Sequence, residues 1–142
     1  MKMVDVAIAV IFDAAGEKIL VCKRKADAVL GGYWEFPGGK RDGDETMAAC
    51  AVREVREEVG IEIGVLGALP VIEHSYPHAH VRLHPFICQH VSGAPEALAV
   101  ATWIWAGPGE LGEYQFPPPN VGLVREVSRG FAAVKQLMHA AS

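Results

Sequence analysis

Glu54, Glu57 and Glu58 stand three and four residues apart, flanked by Arg53 and Arg56, shortly after the run Gly38-Gly39-Lys40-Arg41-Asp42-Gly43-Asp44-Glu45. On a helix that spacing brings like charges onto one face, where each pair costs roughly 0.2–0.5 kcal/mol. Two kinds of partner offset the repulsion. Arg53, four residues before Glu57, makes a solvated ion-pair face. A divalent cation is the other, a hard ion that takes clustered oxygen ligands and bridges them to substrate phosphates. Helix geometry by itself is compatible with both.

The elements around these residues follow from local chemistry. Thr46 is a natural N-cap, Gly60 a natural C′ residue, and no proline interrupts the stretch between them, so residues 46–60 predict a helix. Its apolar stripe is Ala48, Ala51, Val52, Val55 and Val59, which turns toward a core. Residues 4–12 and 19–24 read as a β-hairpin around the turn at residues 13–16. Residues 26–32 read as a loop, and residues 33–36 as a short extended piece leading into the glycine turn Pro37-Gly38-Gly39. Residues 62–76, made irregular by Gly64 and Gly67, and residues 80–91 read as two further strands. Residues 101–106 predict another strand, and residues 107–112 a loop. Residues 120–138 predict a second amphipathic helix with Val121, Val124, Val127, Phe131, Val134 and Leu137 at helical spacing, entered through Pro117-Pro118-Pro119. A β-rich order with two helices gives an α+β class, a mixed sheet between helices.

The chain has 142 residues, 51% of them hydrophobic, enough for one domain with a real core and too few for two ordinary ones. The whole of 1–142 is therefore read as one domain. A formal charge of −4 argues against a nucleic-acid polymer as partner, which calls for a basic excess. A phosphorylated small molecule stays compatible, because a bound cation reverses the local sign. Cys22, Cys50 and Cys88 are odd in number and widely spaced, which points to reduced thiols rather than a disulfide or zinc framework. The apolar run at residues 6–12 is short and bounded by Asp5 and Asp13, a strand rather than a membrane span or signal peptide. The expectation is a cytoplasmic protein, monomer or homodimer.

The order glycine, five residues, Glu, seven residues, Arg-Glu-aliphatic-x-Glu-Glu-x-Gly-aliphatic is filled here by Gly39, Glu45, Arg53, Glu54, Val55, Glu57, Glu58, Gly60 and Ile61. It resembles the Nudix box at each defining position. Within that family the chain is most similar to the MutT-type 8-oxo-dGTP diphosphatases, through Arg24, residues 26–28, residues 35–40, Tyr76-Pro77 and residues 116–120.

The resemblance implies an α-β-α sandwich whose loop-helix-loop carries Mg²⁺ or Mn²⁺. It implies the Gly38 carbonyl, Glu54, Glu57 and Glu58 as ligands converging on one cation, and Arg53 paired with Glu45. The implied reaction is hydrolysis of a nucleoside triphosphate to monophosphate and pyrophosphate, with Glu54 favoured as proton acceptor. Arg24 and Lys40 are phosphate-contact candidates. Asn120 is a base-recognition candidate, since a carboxamide offers donor and acceptor together, although its place also suits a helix N-cap. Phe36 and Phe116 either line the base pocket or belong to the core. Five histidines, His74, His78, His80, His84 and His90, lack a zinc spacing and read as satisfied or solvent-facing.

Two departures bear on specificity. Residues 97–101 are apolar where the family often places an acid, leaving Glu96 as the available carboxylate, and Ala79 stands where relatives often have a basic residue. The alternatives to 8-oxo-dGTP are CTP, a modified dCTP or another nucleoside diphosphate derivative and, more remotely, a non-catalytic nucleotide-binding module.

Overall fold

Strand β1 (Lys2–Phe12) is the axis on which the architecture is built, in a computed structural model that describes residues 2–130. Its β-branched and aromatic content suits a strand buried on both faces. The other strands are β2 (Ile19–Lys23), β3 (Trp34–Glu35), β4 (Gly38–Lys40), β5 (Glu62–Ala68), β6 (Ile72–Tyr76), β7 (Ala79–Ser92) and β8 (Thr102–Ala106). β1 runs parallel to β7 over eleven residue pairs, from Lys2↔Ala79 to Phe12↔Gln89, and antiparallel to β2 and β4. The main path is β3-β2-β1-β7-β5, with β4 on β1, β6 on β7 and β8 on β2.

Alternation along β1 divides the core in two. Ile8, Val10 and Phe12 pack with Leu111, Leu123, Val124 and Val127 beneath helix α2 (Val121–Arg129). Ala7, Ala9 and Ile11 pack with Cys50, Ala51, Val55, Val59 and Ile61 beneath helix α1 (Met47–Val59). The mixed sheet thus lies between helices, an α+β sandwich. The three cysteines are buried and free.

Helix α1 has the caps read from the sequence: Thr46 accepts a hydrogen bond from the Ala49 amide at 3.1 Å, and Gly60 sits at φ +70°. Several expectations are corrected. Cys50 joins the buried face of α1, while Ala48 and Val52 are half-buried. Gly38 and Gly39 belong to a strand rather than a turn. A Cβ on Gly38 would collide with the Ala7 carbonyl, so glycine is needed there for close approach to β1. The single strand expected over residues 62–76 is two, β5 and β6, separated around Pro70, which cannot donate a ladder hydrogen bond. The segment Pro108–Glu113 is a 3₁₀ helix rather than an open loop. A further 3₁₀ turn, Pro118–Asn120, precedes α2, and Val121 is 46% exposed rather than part of the apolar stripe. Phe131, Val134 and Leu137 lie outside the described residues.

Candidate active site

The centre of the site is Arg53, at mid-helix on α1. Its Nη2 donates to Glu45 Oε1 at 2.6 Å and its Nε to Glu45 Oε2 at 3.1 Å, a two-pronged bond across the connection from β4. The same guanidinium donates through Nη1 to Glu54 Oε1 at 3.0 Å and Glu57 Oε2 at 3.1 Å, and through Nη2 to the Lys40 carbonyl at 3.1 Å. Both partners considered from the sequence, Glu45 and Glu57, are therefore used at once. The bonds from Arg53 hold the Glu45 carboxyl down at about 2, with the Asp42 amide adding to the effect.

The three helix carboxylates take different positions. Glu54 is pressed against Gly39, where any Cβ would run into its carboxylate oxygens. Glu58 turns toward β4 and accepts a 3.4 Å hydrogen bond from the Gly38 amide. Glu57 is the outermost, its side chain 57% exposed. The convergence expected of them is not seen: among the described residues no group of three or more His, Cys, Asp or Glu side chains is gathered closely enough to hold a metal ion. The physical reason is that Arg53 holds Glu54 and Glu57 while the Gly38 amide holds Glu58.

Burial pushes the Glu58 carboxyl up to about 8, with the charge of Glu35 adding to it. Glu35, on β3, was not singled out from the sequence. It too is raised, by burial, against the opposing pull of Arg24. Arg24, expected at a phosphate, spends its Nη1 on both Glu35 oxygens, at 3.0 and 3.1 Å, and its Nε on the Val29 carbonyl at 2.6 Å. The pair stands between two hollows and lines both. One, of about 190 Å³, also includes Glu58. Glu96 is exposed on the segment that hangs from the end of α1, its backbone amide bonded to the Val59 carbonyl at 2.9 Å.

The other hollow, a cleft of about 350 Å³, lies on the α2 side of the sheet over Val6, Ile8, Val81 and Leu83. Its volume lies in the range of small-ligand sites. Arg24, Phe36, Lys40 and Asn120 all line it, so these four expected substrate contacts share one cavity, and Gly38, expected as a metal ligand, lines it too. Phe36 is only 3% exposed and packs on Phe116 at 5.1 Å, so it is primarily a core residue backing the cleft. Asn120 occupies the N-cap position of α2 but makes no side-chain capping bond, and its carboxamide has no hydrogen-bond partner among the described residues. Leu30 leans over the same cleft at φ +57°, a conformation uncommon for a bulky residue.

Three histidines are hydrogen-bonded elsewhere: His80 to Ser75 and Glu73, His84 to Asp5, and His90 to the Gly93 carbonyl. His74 differs. It faces the cleft together with Tyr76, a placement that the two-residue period of β6 could have signalled.

The match to a NUDIX domain spans residues 7–126, and the chain belongs to the Nudix family, a hydrolase acting on phosphoric anhydrides. Two relatives from Escherichia coli (strain K12) bear on its chemistry. One named CTP pyrophosphohydrolase is 33% identical over 124 residues, covering 87% of this chain and 90% of its own. One named 8-oxo-dGTP diphosphatase is 30% identical over 138 residues, covering 91% and 99%. Among solved structures, the E. coli ORF135 protein aligns with a TM-score of 0.78 at 31% identity, covering 94% of each chain. A structure from a study of MutT from Aliivibrio salmonicida and Vibrio cholerae aligns with a TM-score of 0.73 at 25% identity, covering 89% of this chain and 96% of its own.

Proposed function

We propose that this chain hydrolyses a nucleoside triphosphate to the monophosphate and pyrophosphate, with 8-oxo-dGTP as its substrate. The observation that carries the reading is the Asn120 carboxamide, without a hydrogen-bond partner among the described residues, lining a cleft that also holds Lys40 and Gly38, on the strand against which Glu54 and Glu58 rest. A carboxamide can donate to and accept from one purine edge. Lys40, exposed and without an ion-pair partner among the described residues, supplies positive charge to the phosphates.

Nudix hydrolases generally use a divalent metal, and carboxylates and a backbone carbonyl are the donor types a hard cation takes. Here, though, Arg53 and the Gly38 amide hold the carboxylates in separate hydrogen bonds. Carboxylate oxygens of Glu54 and Glu58 flank Gly39 and Gly38, and the space beside Gly39 is kept by the lack of a Cβ. Glu54, Glu57, Glu58 and the Gly38 carbonyl would hold Mg²⁺ or Mn²⁺. Such an ion, when bound, lowers the pKa of a coordinated water and neutralises charge on phosphate oxygens. Arg53 orients Glu54 and Glu57 and ties them to Glu45 and the Lys40 carbonyl. Glu54 takes the proton of the attacking water. Arg24 acts through Glu35, balancing a buried carboxylate beside Glu58.

A second reading, CTP or a modified dCTP, is favoured by one observation: the relative named CTP pyrophosphohydrolase is as similar to this chain as the one named 8-oxo-dGTP diphosphatase. The test is kcat/KM for 8-oxo-dGTP, dGTP and CTP with pyrophosphate release as the signal. A preference for 8-oxo-dGTP supports the first reading, and an equal or reversed preference rejects it.

A further inference from the structure

The geometry points to His74 as a specificity-determining residue that hydrogen-bonds the base edge of the nucleotide, held for that task by Tyr76. The inference rests on the cleft being the base site and goes beyond it by naming a second polar reader.

Alternation along β6 turns Ile72, His74 and Tyr76 to the cleft side of the sheet. Ile72 packs on the core beneath α2, and His74 and Tyr76 line the cleft. Glu73 and Ser75, on the opposite face, are occupied with His80. β6 pairs antiparallel with β7, through His74↔Val81 and Tyr76↔Ala79 among others, so β7 backs this wall of the cleft.

The His74 ring meets Tyr76 edge-on, with centroids 4.5 Å apart and planes at 69°, and Tyr76 is in turn stacked on His78 at 5.9 Å. These contacts fix the ring plane and leave its nitrogens unused: His74 has no hydrogen-bond partner among the described residues. A half-buried imidazole with free nitrogens on the wall of a largely apolar cleft is a group kept for a ligand. Among the residues lining the cleft, the Asn120 carboxamide and the Tyr76 hydroxyl likewise have no hydrogen-bond partner among the described residues. Neutral imidazole carries one donor and one acceptor, and a carboxamide both kinds. Together they suit a base that presents keto and N–H groups on its edges, and they leave unpaired polar groups when the wrong base enters.

The test is calorimetric binding of 8-oxo-dGMP, dGMP and CMP to the wild-type protein, His74→Phe and His74→Gln, each first shown to melt like the wild type. In His74→Phe, which keeps an aromatic ring but loses the nitrogens, the ratio between the preferred and the other monophosphates falls about tenfold or more. His74→Gln restores part of that ratio. An unchanged ratio in His74→Phe, or an equal loss for all three ligands in a variant that melts normally, overturns the assignment. Tyr76→Phe keeps the ring edge and the ratio, whereas Tyr76→Ala reduces it; an undiminished ratio in Tyr76→Ala overturns the clamp. If the wild-type protein hydrolysed no nucleoside triphosphate, the proposed reaction would fall, while the binding ratios would still decide the role of His74.

Discussion

Arg53 and Glu45 face each other across the connection between β4 and α1, with Nη2 2.6 Å from Oε1 and Nε 3.1 Å from Oε2. Because the same guanidinium reaches Glu54, Glu57 and the Lys40 carbonyl, it sets the spacing of strand and helix at once. Arg53→Lys keeps the charge and loses the fork. The expected result is a fall in kcat on the order of 10²-fold, about 2.7 kcal/mol of barrier, with KM changed far less. Near-normal kcat in steady-state assays would show that the fork does not organise the site.

Gly38 and Gly39 are adjacent yet fail differently when given a methyl group. A Cβ on Gly39 meets the end of the Glu54 side chain, which can swing away; a Cβ on Gly38 meets the Ala7 backbone, which cannot. Gly39→Ala is therefore expected to lose at least about tenfold in kcat with little change in Tm. Gly38→Ala is expected to destabilise by roughly 1–3 kcal/mol, as overpacking does. Thermal melts and turnover measured on both variants check this, and a Gly39→Ala enzyme with full activity would remove Glu54 from the chemistry.

Asp5 gives the clearest pH dependence. Its side chain, 9% exposed, accepts from Arg82 Nε at 2.8 Å and Nη2 at 3.0 Å, lies 2.8 Å from His84 Nε2, and accepts from Arg41 at 3.4 Å. Arg82 first, then His84, bring its carboxyl down to about 2. A folded value below the unfolded one, near ~3.9, means the stabilisation is complete above the unfolded value and disappears as pH falls through the folded one. Asp5→Asn should cost on the order of 1 kcal/mol at neutral pH and flatten the stability profile between about pH 4 and 2. A parent protein whose denaturation midpoint does not move over that interval would contradict the pairing.

Sequence signals were strongest where a residue's role is local. The caps Thr46 and Gly60 were legible because each depends on spacing within one short stretch, whereas the Arg53–Glu45 pair came from the resemblance to the Nudix box. The break at Pro70 and the strand at Gly38–Lys40 were not, since both are decided by pairing with β7 and β1, distant in sequence. Glu35 went unnoticed for the same reason: its proximity to Glu58 arises only when β3 docks beside β2 and α1 covers the sheet. The bond from Arg24 to Glu35 was not legible either, because Glu35 stands eleven residues away on β3.

Metal dependence follows from how differently the three glutamates are embedded. Glu57, the most exposed of them and bonded among the described residues to Arg53 alone, contributes little to folding, since exposed ion pairs typically contribute under about 1 kcal/mol. Glu57→Gln should thus melt within a few degrees of the parent while kcat drops by orders of magnitude, because a neutral amide is a poorer ligand for a hard cation. EDTA should abolish pyrophosphate release by the parent, and added Mg²⁺ should restore it. Excess Mg²⁺ should rescue Glu57→Gln only partly if the lost carboxylate was a ligand. Full turnover in Glu57→Gln at ordinary Mg²⁺ would leave Glu54 and Glu58 as the remaining acidic ligands, while turnover unaffected by EDTA would end the metal-dependent reading altogether.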